Sequence, residues 1–264
     1  RKYVDDNAQG TYNLSLDVTG TAIKEPKTVN VLYVLDESYS MMWDMDGSYP
    51  DMEKGTEADD PNPSGDNKYP YDNDEEIEYV YSYARFNAAK AAINTLNQRL
   101  LEAQNLGALQ VQMALVPFAS DDYQATGWQS LTADGLSLPD SEWDTFESGT
   151  NYYEALTKAE ELVKAAPNDD DNETIVIFIT DGEPNWPKDN PDEAAIEAVS
   201  GLTADRFYAV GVGGDVGNSY LSELITHTQS GIKTGSSVGG STSELVSYFA
   251  QIAAEITGSI TRNV

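Results

Sequence analysis

The chain has no cysteine and a single histidine in 264 residues. The first absence excludes disulfides, zinc–thiolate sites and thiol nucleophiles. The second would make any Ser-His-Asp arrangement depend on His227. His227 falls late in LSELITHTQSG, where a solvated helix-end residue is expected rather than a base or ligand. A phosphate-binding G-x-x-x-x-G-K-[ST] is also missing, so any ATPase would be a separate chain. No apolar run approaches the roughly 18–20 residues of a membrane helix, and no membrane insertion is expected. Basic residues are scarce, 15 against 45 acidic ones, for a formal charge of −30. That charge repels phosphate and anionic lipid, so nucleic acid is not an expected partner. A cation-binding role and a halophilic source both account for the acidic excess, and most of these carboxylates are expected on a solvated face.

What is present argues for a folded protein: 40% apolar residues and 16 tyrosines. The length suits one large domain, or one domain with appendages. The chain opens on Arg1 without a signal-peptide pattern, which reads as a piece of something longer. Residues 11–18, TYNLSLDV, alternate as a half-buried strand that precedes the main pattern. It is expected to belong to an adjoining all-β module, or to lie along the domain edge with the C-terminal tail.

Strand and helix patterns then alternate. Strands are expected at 29–35, 109–118, 173–180 and 206–212, with short ones near 125–131 and 231–234. Helices are expected near 82–104, 151–166, 191–201, 218–228 and 242–257, the second capped by Thr150 or Asn151. Such alternation implies an α/β, doubly wound, Rossmann-like and mostly parallel sheet with helices on both faces. Residues 43–81 interrupt it as an acidic insertion after the first of these strands, rich in proline and tyrosine. Within the insertion, Asp44-x-Asp46-Gly47-Ser48 looks like the start of a calcium loop but lacks the full EF-hand spacing. A second Ca²⁺ there and a solvent-facing acidic excursion are the two readings. Asp169-Asp170-Asp171-Asn172 reads as a solvated turn.

Three segments place oxygen-bearing side chains where parallel strands should end. They are Asp36-x-Ser38-x-Ser40, Ser148-Gly149-Thr150-Asn151 and Thr180-Asp181-Gly182. Two carboxylates and three hydroxyls make a hard-oxygen set suited to a divalent cation. In open α/β sheets, ligands bind at the carboxyl ends of strands near the switch point. Glu37 and Glu183 flank these motifs and are expected to be surface residues.

The order and context of the three motifs resemble the von Willebrand factor A (VWA) domain with its metal-ion-dependent adhesion site (MIDAS). The resemblance extends over residues 28–258, leaving 1–27 as an N-terminal β extension or linker from an adjoining immunoglobulin-like domain, and 259–264 as a tail. It implies that Asp36, Ser38, Ser40, Thr150 and Asp181 form the metal site. Ser38 and Ser40 would bind through their hydroxyls, Thr150 directly in the ligand-occupied form, and the two aspartates through waters. One divalent cation is implied, Mg²⁺ first, with Mn²⁺ or Ca²⁺ as alternatives. Tyr39 stands where the family often has Gly, which would put an aromatic ring at the rim of the site.

The resemblance is to Gram-positive pilus-tip and surface adhesins in particular. It implies a divalent-cation-dependent adhesion module of a prokaryotic cell-surface protein or pilus, extracellular and not an enzyme. The implied partner is a host-matrix or cell-surface protein presenting an Asp or Glu carboxylate. An intracellular VWA subunit of an ATPase or chelatase-type complex is the alternative.

Overall fold

Ten consecutive residues, Lys27–Asp36 (KTVNVLYVLD), form a strand whose last nine side chains are all buried. A run that apolar suits a strand covered on both faces, as in parallel sheets. The computed structural model describes residues 2–6, 12–16, 26–48, 51–53, 78–80, 82–120, 124–141, 145–167, 172–187, 189–214 and 217–261. The run Asp169–Asp171, the middle of the insertion and residues 262–264 lie outside them.

In chain order the strands are β1 (Lys2–Asp6), β2 (Tyr12–Leu16), β3 (Lys27–Asp36), β4 (Asp51–Glu53), β5 (Glu78–Val80), β6 (Leu109–Phe118), β7 (Gln129–Ser130), β8 (Glu173–Thr180), β9 (Arg206–Val212) and β10 (Lys233–Gly239). The helices are α1 (Ala84–Asn105), α2 (Tyr152–Lys164), α3 (Pro191–Gly201), α4 (Asn218–Thr226) and α5 (Thr242–Thr261). Six strands form the main sheet in the order β10-β9-β8-β3-β6-β7. All pairings in it are parallel except β6 with the short β7.

Alternate residues of β3 divide the core in two. Val29, Val31, Tyr33 and Leu35 join the cluster that includes α1 and α5 residues such as Phe86, Ile93, Phe249 and Ile252. Leu32 and Val34 join the cluster on the other face, with Tyr152, Leu156, Val199 and Leu221 from α2, α3 and α4. This period-2 division is the pleat expressed as two hydrophobic layers. The chain leaves β3 toward α1 on one face and leaves β8 toward α3 on the other. A crevice therefore opens between the carboxyl ends of β3 and β8, the switch point where α/β folds place their ligands.

Several elements differ from the sequence expectation. The early strand, β2, pairs antiparallel with an upstream strand, β1, as a separate two-stranded ribbon. The start and end of the insertion also pair, β4 with β5, with Met52 opposite Tyr79. Three-residue strands are too short to announce themselves by periodicity. Strand β10 is longer than expected although its sequence, KTGSSVG, is rich in Gly and Ser. Its register against β9 is set by close packing: a Cβ on Gly239 would stand 2.5 Å from Leu245 Cγ, and one on Gly235 3.0 Å from the Tyr208 ring. Helix α5 continues to Thr261, past the expected end at 257.

Phe178, on β8, stacks on Phe118 at 5.3 Å and meets Tyr152 edge-on at 4.6 Å. Phe178→Ala should cost about 3–5 kcal/mol of unfolding free energy, the range for truncating a buried aromatic. Urea unfolding checks this; a loss below about 1 kcal/mol would mean that this layer collapses around the void.

Candidate metal centre

Parallel register brings two of the three motifs together. Leu35 pairs with Ile179 and Val34 with Phe178, so Asp36 stands level with Thr180 and beside Asp181. Both carboxylates are buried, Asp36 at 0% exposure and Asp181 at 5%. Beyond Asp36 the chain turns through a 3₁₀ segment, Tyr39–Met42, which buries Met41 and Met42 and leaves the hydroxyl positions at the sheet edge.

Side-chain hydrogen bonds knit four of the five expected residues into one cluster. Asp36 Oδ1 accepts the Ser38 backbone N–H at 2.7 Å, the local turn that aspartate favours. Ser38 Oγ and Ser40 Oγ lie 3.2 Å apart. Ser40 Oγ donates to Asp181 Oδ1 at 2.8 Å. The fifth, Thr150, is buried and is brought to the edge through its backbone. Its N–H donates to Asn185 Oδ1 at 2.8 Å, and its carbonyl accepts from Asn185 N and Trp186 N. Its hydroxyl makes no hydrogen bond to the other four side chains. Gly149, just before it, has φ +97°, and a Cβ there would meet Ser120 Cβ at 2.9 Å, so glycine is required. Asn151 is the cap of α2, its Oδ1 accepting the Glu154 N–H at 3.3 Å.

Four further residues support the cluster. Thr180 Oγ1 donates to Asp36 Oδ2 at 2.6 Å. The Tyr152 hydroxyl lies 2.9 Å from Thr180 Oγ1 and donates to the Gly182 carbonyl. Asn185 ties the Thr150 loop to the loop that follows Asp181. Arg85 Nη1 donates to Asp181 Oδ2 at 2.8 Å, and both side chains are buried, 1% and 0% exposed. Arg85 is the residue that motif reading misses. It sits in the first turn of α1, where the helix dipole disfavours a cation. That local misfit is the one sequence signal that a partner holds it there.

Burial, and then the negative charge of Asp181, pushes the Asp36 carboxyl up from 3.8 to about 7. Bonds from Thr180 and Ser38 oppose the rise. Glu37 was expected at the surface and is instead half-buried, its Oε1 enclosed without a hydrogen-bond partner. Burial, then Asp36 and Glu147, pushes it up to about 8. It lines a cavity of about 500 Å³ with Leu115, Pro117, Leu138 and Glu147. Glu183 is exposed, as expected, and so is the Tyr39 ring at 37%. His227 caps α4 from an exposed position, its Nδ1 2.9 Å from the Glu223 carbonyl.

The donor set fits a hard divalent cation: every side chain that would face it offers oxygen, with two carboxylates and the rest hydroxyls. Among the described residues no three acidic or histidine side chains converge. A bound ion would therefore keep part of its charge unneutralised. In the insertion, Asp46 is engaged in its own turn, its Oδ1 accepting Ser48 N at 2.9 Å and Ser48 Oγ at 2.6 Å.

The fold is that of the von Willebrand factor type A domain, and residues 74–183 match the family model of that description. The matched stretch takes in Thr150 and Asp181 but begins within the insertion, after Asp36, Ser38 and Ser40. Among solved structures, the chain is similar to the PilB minor pilin from Streptococcus sanguinis (TM-score 0.61, 16% identity, 91% of this chain, 64% of that one). It is also similar to the pilus adhesin SpaC from Lactobacillus rhamnosus GG (TM-score 0.52, 15%, 98% and 34%). A third similar structure is a von Willebrand factor type A protein from Catenulispora acidiphila (TM-score 0.51, 14%, 88% and 43%). The chain thus spans less than two thirds of each of these proteins. No curated protein matches it in sequence.

The raised carboxyl values set a pH dependence. The folded state holds protons on Asp36 and Glu37 that the unfolded chain releases near pH 4, so the native form binds more protons between about pH 4 and 8. Stability in chelator should therefore fall as pH rises through that window. Melting temperatures of the native chain, Asp36→Asn and Glu37→Gln across about pH 5 to 8 test it. Each variant should flatten the slope; slopes identical to the native one would show that neither group carries it.

Proposed function

We propose that this chain is a divalent-cation-dependent adhesion module of a prokaryotic surface protein or pilus. It would bind a carboxylate on a partner protein, host-matrix or cell-surface, through Asp36, Ser38, Ser40, Thr150 and Asp181. The observation that carries the reading is the joined Asp36–Ser38–Ser40–Asp181 cluster at the carboxyl edge of β3 and β8. The similarity to a minor pilin and a pilus adhesin supports the setting. Among the described residues no helix is long and apolar enough to cross a membrane.

Mg²⁺, or Mn²⁺ or Ca²⁺ in its place, would supply a positive centre that keeps several waters and has room for one incoming oxygen. Ser38 and Ser40 would hold it through neutral hydroxyls, and Thr150 would join when the partner is bound. Asp36 and Asp181 would orient waters around it rather than quench its charge. A carboxylate is then the favoured sixth ligand. In this reading the role is binding without catalysis.

Isothermal titration of chelator-stripped protein with Mg²⁺ and Mn²⁺ tests the site. One site is expected in the native chain, and its heat should vanish in Asp36→Ala and in the Ser38→Ala, Ser40→Ala double variant. Undiminished binding in both would sink the assignment. Attachment of cells displaying the chain to immobilised matrix proteins should likewise be lost in chelator; attachment unaffected by chelator would place the partner elsewhere on the surface.

A further inference from the structure

Arg85 joins three segments that meet at the mouth of the crevice. Its Nη1 reaches Asp181 Oδ2 at 2.8 Å, its Nε donates to the Asp44 carbonyl at 3.0 Å, and its guanidinium lies 5.5 Å from the centre of the Trp43 ring. The other Asp181 oxygen accepts from Ser40 at 2.8 Å. The carboxylate that would face the cation is therefore already engaged on both sides, by a hydroxyl of the site and by a fixed positive charge.

We infer that Arg85 is the resident counter-ion of the metal site. It holds Asp181 when no divalent ion is bound, opposes the ion for the same carboxylate, and so sets how tightly the ion binds. The inference rests on the proposed metal-dependent function and specifies how that site is tuned. Two physical steps support it. A carboxylate buried beside a second one, Asp36, needs a compensating charge, because an unpaired buried charge is strongly destabilising. Arg85 supplies that charge from a guanidinium that stays protonated at any working pH. With both carboxylates ionised, the charges of Asp36, Asp181 and Arg85 sum to −1, so a divalent ion leaves the loaded site net positive. An acidic partner side chain is the group that such a site selects.

The test titrates Mn²⁺ into the native chain, Arg85→Met and Arg85→Lys. With the positive charge removed, Arg85→Met should melt lower in chelator yet bind Mn²⁺ at least about tenfold tighter, so that saturating Mn²⁺ raises its melting temperature more than the native one. Arg85→Lys, which keeps the charge, should stay within about threefold of native affinity. Unchanged or weaker Mn²⁺ binding in a folded Arg85→Met would overturn the inference and leave Arg85 a scaffold residue. Binding in neither native nor variant protein would instead remove the metal reading, and this inference with it. Should Arg85→Met fail to fold, ¹⁵N spectra of the native arginine side chains decide, with Arg85 assigned by its loss in Arg85→Lys. Hindered guanidinium rotation in chelator that is relieved by Mg²⁺ supports competition; hindrance unchanged by Mg²⁺ refutes it.

Discussion

Two buried carboxylates at one strand edge impose the constraint on which the rest of this structure turns. Asp36 and Asp181 end neighbouring parallel strands, and both lie out of water. Like charges in a dry setting repel strongly. The surrounding residues offset that repulsion: Thr180 and the Ser38 backbone on Asp36, Ser40 and Arg85 on Asp181. Asp36 shows what is left uncompensated, with a carboxyl pushed up to about 7. Under the proposed function, a bound cation would offset that remainder.

The same edge explains how a long insertion coexists with an ordered site. The chain leaves β3, makes its 3₁₀ turn and is pinned before it departs. Met45 O accepts Gly214 N at 2.6 Å, Asp44 O accepts Arg85 Nε, and the short β4–β5 ribbon brings the chain back together. Tyr83 N then donates to Met42 O as α1 begins. The excursion is closed off at its stem, so its length adds little to the entropy of ordering the site. Arg85 enters the crevice because this closure sets the start of α1 against the end of β3.

Much of the site was legible in the chain. Asp36-x-Ser38-x-Ser40 and Thr180-Asp181-Gly182 each follow an apolar run that can only be a buried strand, and alternation with helices makes those strands parallel. Asn151 as a helix cap was legible for the same reason, a polar side chain just before an amphipathic run. The half-burial of Glu37 is not legible from its neighbours, because the strand pleat continues one position past β3 and turns its side chain inward. Strand β10 was under-read because Gly235 and Gly239 are there for the closeness of Tyr208 and Leu245, which no local propensity records.

Local sequence determined the strand ends, the turn chemistry and the oxygen-bearing side chains at the strand ends, since these depend on residues within a few positions of one another. Tertiary structure alone decided the pairing of Arg85 with Asp181 across 96 positions of chain. It also decided the meeting of Tyr152, Thr180 and Asp36 and the stapling of Thr150 to Asn185. Those contacts depend on the order in which strands lie side by side, and that order comes from burying two hydrophobic layers at once rather than from any segment alone.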